Sequence, residues 1–120
     1  MTRALLFATV VLMAGVANAQ DGAAQFTAHC ANCHSATDSD STPEGPSLKG
    51  VYGRAKASLG DFDYSAGLKA KGGKWTEADL DVFLADPRVY APGSSMRTVV
   101  ADAATRRAII AYLKGQSGGQ

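Results

Sequence analysis

The sequence predicts a small all-α domain, and three observations lead to that prediction. Apolar residues recur at spacings of three and four in several separate segments, as on one face of a helix. No segment shows the regular alternation of apolar and polar residues that is typical of a half-buried strand. Residues 35–64 show no sustained periodicity of apolar residues, so they are expected to be irregular. The length of 120 residues fits one domain, and there is no internal repeat or linker.

The first 19 residues are interpreted as a secretory signal peptide. Met1-Thr2-Arg3 gives a short positive start, residues 4–16 are almost wholly apolar, and Ala17-Asn18-Ala19 is typical of a cleavage site. The alternative is a retained membrane anchor, but the apolar run is shorter than the roughly 20 residues that cross a bilayer. Cleavage after Ala19 is therefore expected, which leaves a domain at 20–120 in the periplasm.

The charge balance argues against one class of function. Removing residues 1–19 takes away one basic residue, Arg3, and leaves 11 Lys and Arg against 11 Asp and Glu. Nucleic-acid binding requires a basic surplus, so it is not expected here. No later segment is apolar enough for stable membrane insertion, and a soluble monomer is predicted.

The first helix is predicted over residues 21–33, where Gly22, Phe26, Cys30 and Cys33 share one face. The next stretch, 35–64, is rich in Ser, Thr, Asp, Gly and Pro. An irregular stretch of that length is unusual in a compact domain unless it has a function, and wrapping a large prosthetic group would be one.

A helical spacing of apolar residues appears again at residues 64–71 and after Thr76. The Thr76 hydroxyl is predicted to cap the second of these helices, with Asp79 at the capping-box position. The apolar face of that helix comprises Leu80, Phe83 and Leu84.

Two prolines, Pro87 and Pro92, are predicted to break the following stretch and to leave residues 92–96 as a loop. The last helix is predicted from Asp102, a plausible N-cap, to Lys114, with Gly115 as its stop signal. Its buried stripe comprises Ile109, Tyr112 and Leu113.

The only cysteines, Cys30 and Cys33, lie in the sequence Cys30-Ala31-Asn32-Cys33-His34, a C-x-x-C-H motif. A disulfide between them would close almost no loop, whereas the motif is the signature of covalent c-type haem attachment. In that chemistry the two thiols form thioethers with the haem vinyl groups, and His34 binds the iron. A thioredoxin-like pair would need a βαβ context, and a zinc site would need two further ligands. His29 is interpreted as a surface residue.

Met96 is the only methionine outside residues 1–19. A lone methionine is usually core filler, but Met96 lies in a Pro-Gly-Ser-Ser loop rather than on an apolar helix face. We therefore predict Met96 as the second axial ligand, because His/Met ligation is the pattern of c-type electron carriers and raises the reduction potential.

Beyond these motifs, the chain resembles the class I cytochromes c, the group that contains mitochondrial cytochrome c and bacterial cytochromes c2 and c-550. The resemblance covers nearly all of residues 21–115. The matching segments, in order, are CANCH at 30–34, GPSLKGVYGR at 45–54, FDYS at 62–65, KGGKW at 71–75, LADPRVYAPGSSM at 84–96 and AIIAYLK at 108–114.

The resemblance implies the small cytochrome c fold, with N- and C-terminal helices crossing and long loops wrapped around one haem. Pro46 matches the proline whose carbonyl accepts the His34 Nδ1–H bond. Arg54, Tyr64, Trp75 and Ser94 match residues near the haem propionates. Without the resemblance, a surface Arg54 and core Tyr64 and Trp75 would be the simpler interpretation. The helix crossing would involve Gly22, Phe26, Ile109 and Tyr112.

Two positions depart from the mitochondrial pattern. Leu68 replaces an asparagine near the methionine, and Phe83 replaces a tyrosine beside it. A drier pocket favours the less charged ferrous haem and raises the potential, while loss of a hydrogen bond to the Met sulfur strengthens that ligand and lowers it. The two effects oppose each other, so the sign of the net change does not follow from the sequence.

The function expected from the sequence is a periplasmic one-electron carrier with one covalently bound haem c. Its partners would be redox proteins such as a quinol–cytochrome c oxidoreductase, a terminal oxidase or a periplasmic dehydrogenase. It would not be an enzyme. The enzyme alternative is a haem peroxidase or gas-binding protein with an open iron position, and a further alternative is a haem-free thiol–disulfide protein.

Overall fold

The structure is a computed structural model that describes residues 4–11 and 19–117. Residues 4–11 have no regular structure and expose their side chains. Residues 1–3 and 12–18 of the predicted leader, which include Ala17 and Asn18 of the expected cleavage site, lie outside the described residues.

Five helices and long irregular segments make up residues 19–117, and this part of the chain contains no β-strand. The helices are α1 (Ala19–His29), α2 (Ala66–Lys69), α3 (Glu77–Ala85), α4 (Pro87–Tyr90) and α5 (Ala103–Ser117). One antiparallel bridge joins Ala55 to Lys74. The prediction of an all-α domain is confirmed, and no helix in the described ranges is both long enough and apolar enough to cross a bilayer.

The first and last helices cross at Gly22, as predicted. A Cβ built on Gly22 would overlap the Ala108 carbonyl oxygen and would lie 2.8 Å from Tyr112 Cβ. Glycine therefore allows α1 and α5 to approach more closely than any other residue would. The Phe26 and Tyr112 rings pack beside this contact with centroids 5.3 Å apart, over the fully buried Ile109.

Helix α1 ends at His29, whereas the sequence predicts a helix through residue 33. The Cys30 carbonyl accepts hydrogen bonds from both Cys33 N (3.2 Å) and His34 N (3.0 Å). The chain thus leaves the regular helix and folds the C-x-x-C-H motif into a tight turn at its end.

Capping residues set where the two middle helices α2 and α3 begin. Thr76 caps α3 as predicted, since its Oγ1 accepts from Asp79 N at 3.1 Å. Helix α2 is shorter than the predicted 64–71 because Ser65 is its N-cap and accepts from Leu68 N. Pro87 breaks the helical stretch as predicted, since α3 ends at Ala85. It is also the first residue of a further short helix, α4, at a position where its missing N–H costs nothing.

The start of α5 is confirmed and its predicted end is wrong. Asp102 Oδ2 accepts from Thr105 N (2.9 Å) and Thr105 Oγ1 (2.8 Å), which makes Asp102 a cap. The helix continues past Gly115 to Ser117 because Gly115 does not adopt the left-handed conformation that ends helices.

Side-chain and backbone hydrogen bonds stabilise the irregular stretch between α1 and α2. Asp61 accepts from Ser41 N (2.8 Å) and Ser41 Oγ (2.7 Å), which ties two distant parts of this stretch together. Leu48 N donates to Ser35 O, and Thr42 Oγ1 donates to Cys33 O, both at 2.8 Å. These bonds hold residues 35–64 against the turn that carries the cysteines.

Candidate functional site

A cavity of about 320 Å³ lies in the middle of the domain, and we call it the central cavity. Its volume is within the range of roughly 300 to 1,000 Å³ that is usual for ligand sites. Its lining is mainly apolar and comes from the helices as well as the irregular stretch, including Leu48, Val51, Leu68, Leu80, Ile109 and Leu113.

Every site residue predicted from the sequence lines the central cavity. These residues are Cys30, Cys33, His34, Pro46, Arg54, Tyr64, Trp75, Ser94 and Met96. They lie in six separate places along the chain, so the fold has brought them to one cavity.

The turn after α1 carries both cysteines. Cys30 is buried, Cys33 is half-buried, and both are free thiols. Burial raises the pKa of the Cys30 thiol to about 11, with a smaller contribution from the charge of Cys33. A thiol–disulfide oxidoreductase instead needs a thiol with a lowered pKa.

His34 is held by a proline carbonyl. Its Nδ1 lies 2.7 Å from Pro46 O, and because a carbonyl can only accept, Nδ1 carries the proton and Nε2 keeps its lone pair. Burial lowers the pKa of His34, against the opposing effect of the Pro46 bond. The imidazole is therefore neutral at pH 7, which is the form that binds metals.

Gly45 leaves room for this ring. A Cβ at this position would lie 2.6 Å from His34 Cε1 and 2.8 Å from Cys33 O. Both distances are shorter than real Cβ contacts, so the absence of a side chain at residue 45 is what lets the imidazole sit against the 42–46 loop.

Hydrogen bonds of Ser94 stabilise the Met96 loop, residues 92–96. Ser94 Oγ accepts from Met96 N at 3.2 Å, and Ser94 N donates to Ala91 O at 3.0 Å. Met96 is partly buried, and its side chain packs on the hydrophobic core. Leu68 and Phe83, the two residues that depart from the mitochondrial pattern, also line the cavity beside it.

Arg54 has one buried nitrogen without a partner. Its two terminal nitrogens donate to Lys49 O (3.1 Å) and Ser47 O (2.9 Å), but its buried Nε has no acceptor in the described part of the chain. Leaving such a donor unsatisfied costs about 1 to 3 kcal/mol, so an acceptor from a bound group or an ordered water is expected there.

Tyr64 and Trp75 are both buried in the wall near Arg54. The Tyr64 hydroxyl accepts from Leu59 N at 3.3 Å, which leaves its own proton for another acceptor. Trp75 is anchored through its backbone, because its N–H donates to Arg54 O at 2.9 Å. These residues add donors to a cavity that is otherwise apolar.

Some lining residues were missed from the sequence. Val51 and Phe62 lie in the irregular stretch, where no helical period marks which apolar residues face inward. Glu44 and Thr98 also reach the cavity without belonging to a motif with known chemistry. Only contact in the folded structure identifies them.

The residues present fit a covalently attached haem. Two thiols and a neutral imidazole with a free Nε2 stand at one turn, a thioether lines the same cavity, the walls are apolar, and Arg54 Nε lacks an acceptor. The fold and the site thus define a class: a small all-α protein built to hold one haem through a C-x-x-C-H turn.

Comparison with known proteins identifies the family. The model of the cytochrome c family matches residues 19–117. The chain is 38% identical over 97 residues to a cytochrome c-type protein, cyt cy, of Rhodobacter capsulatus, which covers 80% of this chain and 48% of that protein. It is 37% identical to cytochrome c 2.1 of Caenorhabditis elegans, over 82% of this chain and 88% of the relative. It is 39% identical to cytochrome c of Theileria parva, over 80% and 84% of the two chains.

The chain belongs to the cytochrome c family, and its cofactor is one covalently bound haem c. It spans about half the length of the Rhodobacter relative and most of the length of the other two. The relationship points to a monohaem electron carrier and implies redox proteins as partners.

Proposed function

We propose that this chain is a soluble periplasmic electron carrier in which Cys30 and Cys33 hold the haem and His34 and Met96 are its axial ligands. When bound, haem c supplies an iron that accepts and returns one electron. The observation that carries the proposal is that all the side chains assigned from the sequence line one cavity.

Hydrogen bonds within the chain would hold the haem-binding side chains in position in both oxidation states. The Pro46 carbonyl orients His34 and keeps its proton on Nδ1. The Ser94 bond to Met96 N fixes the loop that presents the thioether. Arg54, Tyr64, Trp75 and Ser94 would donate to the haem propionates, and the apolar wall excludes water. A site fixed in this way changes little between oxidation states, which favours rapid electron transfer.

Met96 favours a carrier over the enzyme alternative. If both His34 and Met96 bind the iron, no position would remain open for peroxide or a diatomic gas. The high pKa of Cys30 argues against the thiol–disulfide alternative. The partners proposed are redox proteins of a respiratory chain or a similar pathway.

A visible spectrum of the purified protein after denaturation and acidic organic extraction tests haem attachment. Thioether-linked haem stays with the chain, so the protein fraction should keep its haem absorption, and a redox titration should show one one-electron couple. The matched control is the Cys30→Ser/Cys33→Ser double variant, from which haem should be extracted. A colourless wild-type chain, or full extraction of its haem, would reject the proposal.

The cellular location needs a separate measurement. If residues 1–19 are a cleaved leader, the chain recovered from the periplasmic fraction should begin at Gln20, as read by intact mass. Recovery of an uncleaved chain from the membrane fraction would instead support the anchor.

A further inference from the structure

One lysine outside the proposed haem ligands has a side chain that is largely removed from water. The Lys56 side chain is 7% exposed, and its Nζ donates to Asp79 Oδ2 at 2.9 Å. Asp79 itself is 36% exposed. Water therefore screens the carboxylate more than the ammonium, so Asp79 compensates the positive charge of Lys56 only in part on the buried side of the pair.

Backbone hydrogen bonds fix the point from which the Lys56 side chain extends. Lys56 N donates to Gly73 O at 2.9 Å, and on the same short ladder Gly53 N donates to Trp75 O at 2.8 Å and Trp75 N to Arg54 O at 2.9 Å. Lys56 and Trp75 thus lie on neighbouring segments that are joined by backbone hydrogen bonds around the Ala55–Lys74 bridge.

The ammonium lies against the aromatic wall of the central cavity. Nζ is 5.5 Å from the Trp75 ring centroid and 5.8 Å from that of Tyr90, within the range of a cation–π interaction. Trp75 lines the cavity and Lys56 does not, so the charge acts from outside the wall.

Lys56 keeps its charge in this environment. Burial lowers its pKa, but the hydrogen bonds and charges of Asp79 and Tyr90 outweigh that effect, and the pKa of Lys56 is raised overall. A permanent cation next to the cavity disfavours the more positive oxidation state of a group bound there.

We propose that Lys56 is a positioning residue that holds Trp75 in the cavity wall and raises the reduction potential of the haem. The proposal rests on the haem site proposed above. The ladder and the cation–π contact orient the indole, and the buried positive charge favours ferrous over ferric haem. Asp79 opposes this effect because its negative charge favours the ferric state.

The test is the reduction potential of the intact holoprotein in paired variants. Lys56→Met keeps the aliphatic packing and removes the charge, so it should lower the potential. A shift of about threefold in the ferric/ferrous equilibrium is expected, or roughly 30 mV for a one-electron couple. Asp79→Asn should raise the potential. A merely structural role would move both variants in the same direction or neither.

Lys71→Met is the matched control. Lys71 also lies over Tyr90, with Nζ 4.4 Å from the ring centroid, but its side chain is exposed and its charge is screened by water. Its removal should shift the equilibrium by less than half as much as Lys56→Met. A potential unchanged in Lys56→Met, or a shift no larger than that of Lys71→Met, would overturn the proposal.

A charge-keeping variant covers the case in which Lys56→Met does not fold. Lys56→Arg should then retain the wild-type potential while Asp79→Asn still raises it, and an Asp79→Asn potential at or below wild type would overturn the proposal. Failure of the haem site itself is distinguishable, because the wild type would then show no covalent haem spectrum. A normal wild-type spectrum with no charge dependence would reject the role of Lys56 alone.

Discussion

His34 depends on two small features of its neighbours. The Pro46 carbonyl oxygen can only accept, so in the hydrogen bond at 2.7 Å the donor must be His34 Nδ1. Gly45 leaves the space that the imidazole fills. A change at either residue would act on the proposed iron ligand without touching the iron.

Gly45→Ala should destabilise the holoprotein. The new Cβ would lie 2.6 Å from His34 Cε1, so the ring or the loop must shift, and overpacking of this kind costs about 1 to 3 kcal/mol. For a domain of this size the midpoint of thermal unfolding should fall by about 4 to 8 °C per kcal/mol.

Gly60→Ala is the control, because a Cβ at Gly60 meets nothing within 4 Å and the residue lies in the same irregular stretch. It should leave the unfolding midpoint unchanged or slightly raised. Equal midpoints for the two variants would show that the space beside His34 is not restricted.

Arg54 shows the limit of prediction at the residue scale. The sequence alone favours a surface arginine, and only the family resemblance directs it inward. The structure adds what neither source gives: two backbone acceptors for the terminal nitrogens and a buried Nε without one. These contacts join residues five and seven positions apart in a stretch without periodicity, where sequence patterns carry no information on direction.

The helices follow local rules more closely than the segments between them. Thr76 and Asp102 were predictable as caps because a hydroxyl or carboxylate before an apolar periodic run has one favourable use. The end of α5 beyond Gly115 and the short helix that begins at Pro87 were not predicted, because each of these residue types has two uses. Glycine ends a helix only with a positive φ, and proline can begin a helix as well as break one.

A Gly→Ala substitution should have opposite effects on stability in the two crossing helices, α1 and α5. Gly22→Ala should lower stability by about 1 to 3 kcal/mol, because the methyl group would overlap the Ala108 carbonyl oxygen and force the helices apart. Gly115→Ala meets open space in α5 and should raise stability by about 0.5 to 1 kcal/mol through helix propensity.

Denaturant unfolding of the holoprotein measures both changes. Helix propensity alone would make both variants more stable, so a stabilised Gly22→Ala variant would contradict the close crossing of α1 and α5.

Across the whole molecule, the residues of the haem motifs could be predicted from the sequence, but the contacts between distant residues around them could not. Cys30, Cys33, His34 and Met96 carry chemistry that constrains residue type and spacing, so they are recognisable before folding. The Lys56–Asp79 pair joins residues 23 positions apart, and nothing in either local sequence indicates the other. Cleavage after Ala19 stays a prediction.

Acid should destabilise the protein progressively below about pH 5. Hydrogen bonds from Ser41 lower the pKa of Asp61, and the Lys56 hydrogen bond lowers that of Asp79. The Thr105 hydroxyl and N–H lower that of Asp102. Stability from a carboxylate with a lowered pKa is present above its unfolded value of about 3.9 and is lost as the pH falls through the folded value.

Unfolding midpoints should therefore be steady from about pH 7 to pH 5 and then decline. Asp102→Asn keeps an equally good cap but does not titrate, so its decline should be smaller than that of the wild type. A midpoint that does not change down to pH 3 would contradict these assignments.

Electron transfer to redox partners should depend only modestly on salt. Without residues 1–19 the basic and acidic residues balance at 11 each. Surface charge mainly steers association, so a balanced surface gives little steering to screen. The measurement is the second-order rate constant against ionic strength, and a steep loss of rate with added salt would point to a strongly charged docking face.

Binding of carbon monoxide to the reduced protein tests most directly whether His34 and Met96 together close the iron site. The wild type should not bind carbon monoxide at neutral pH, whereas Met96→Ala should bind it readily, as followed by the haem absorption band. Leu68→Ala, which enlarges the cavity but keeps the ligand, is the control and should resemble the wild type. Rapid binding by the wild type would contradict Met96 as a ligand and favour an open-site haem protein.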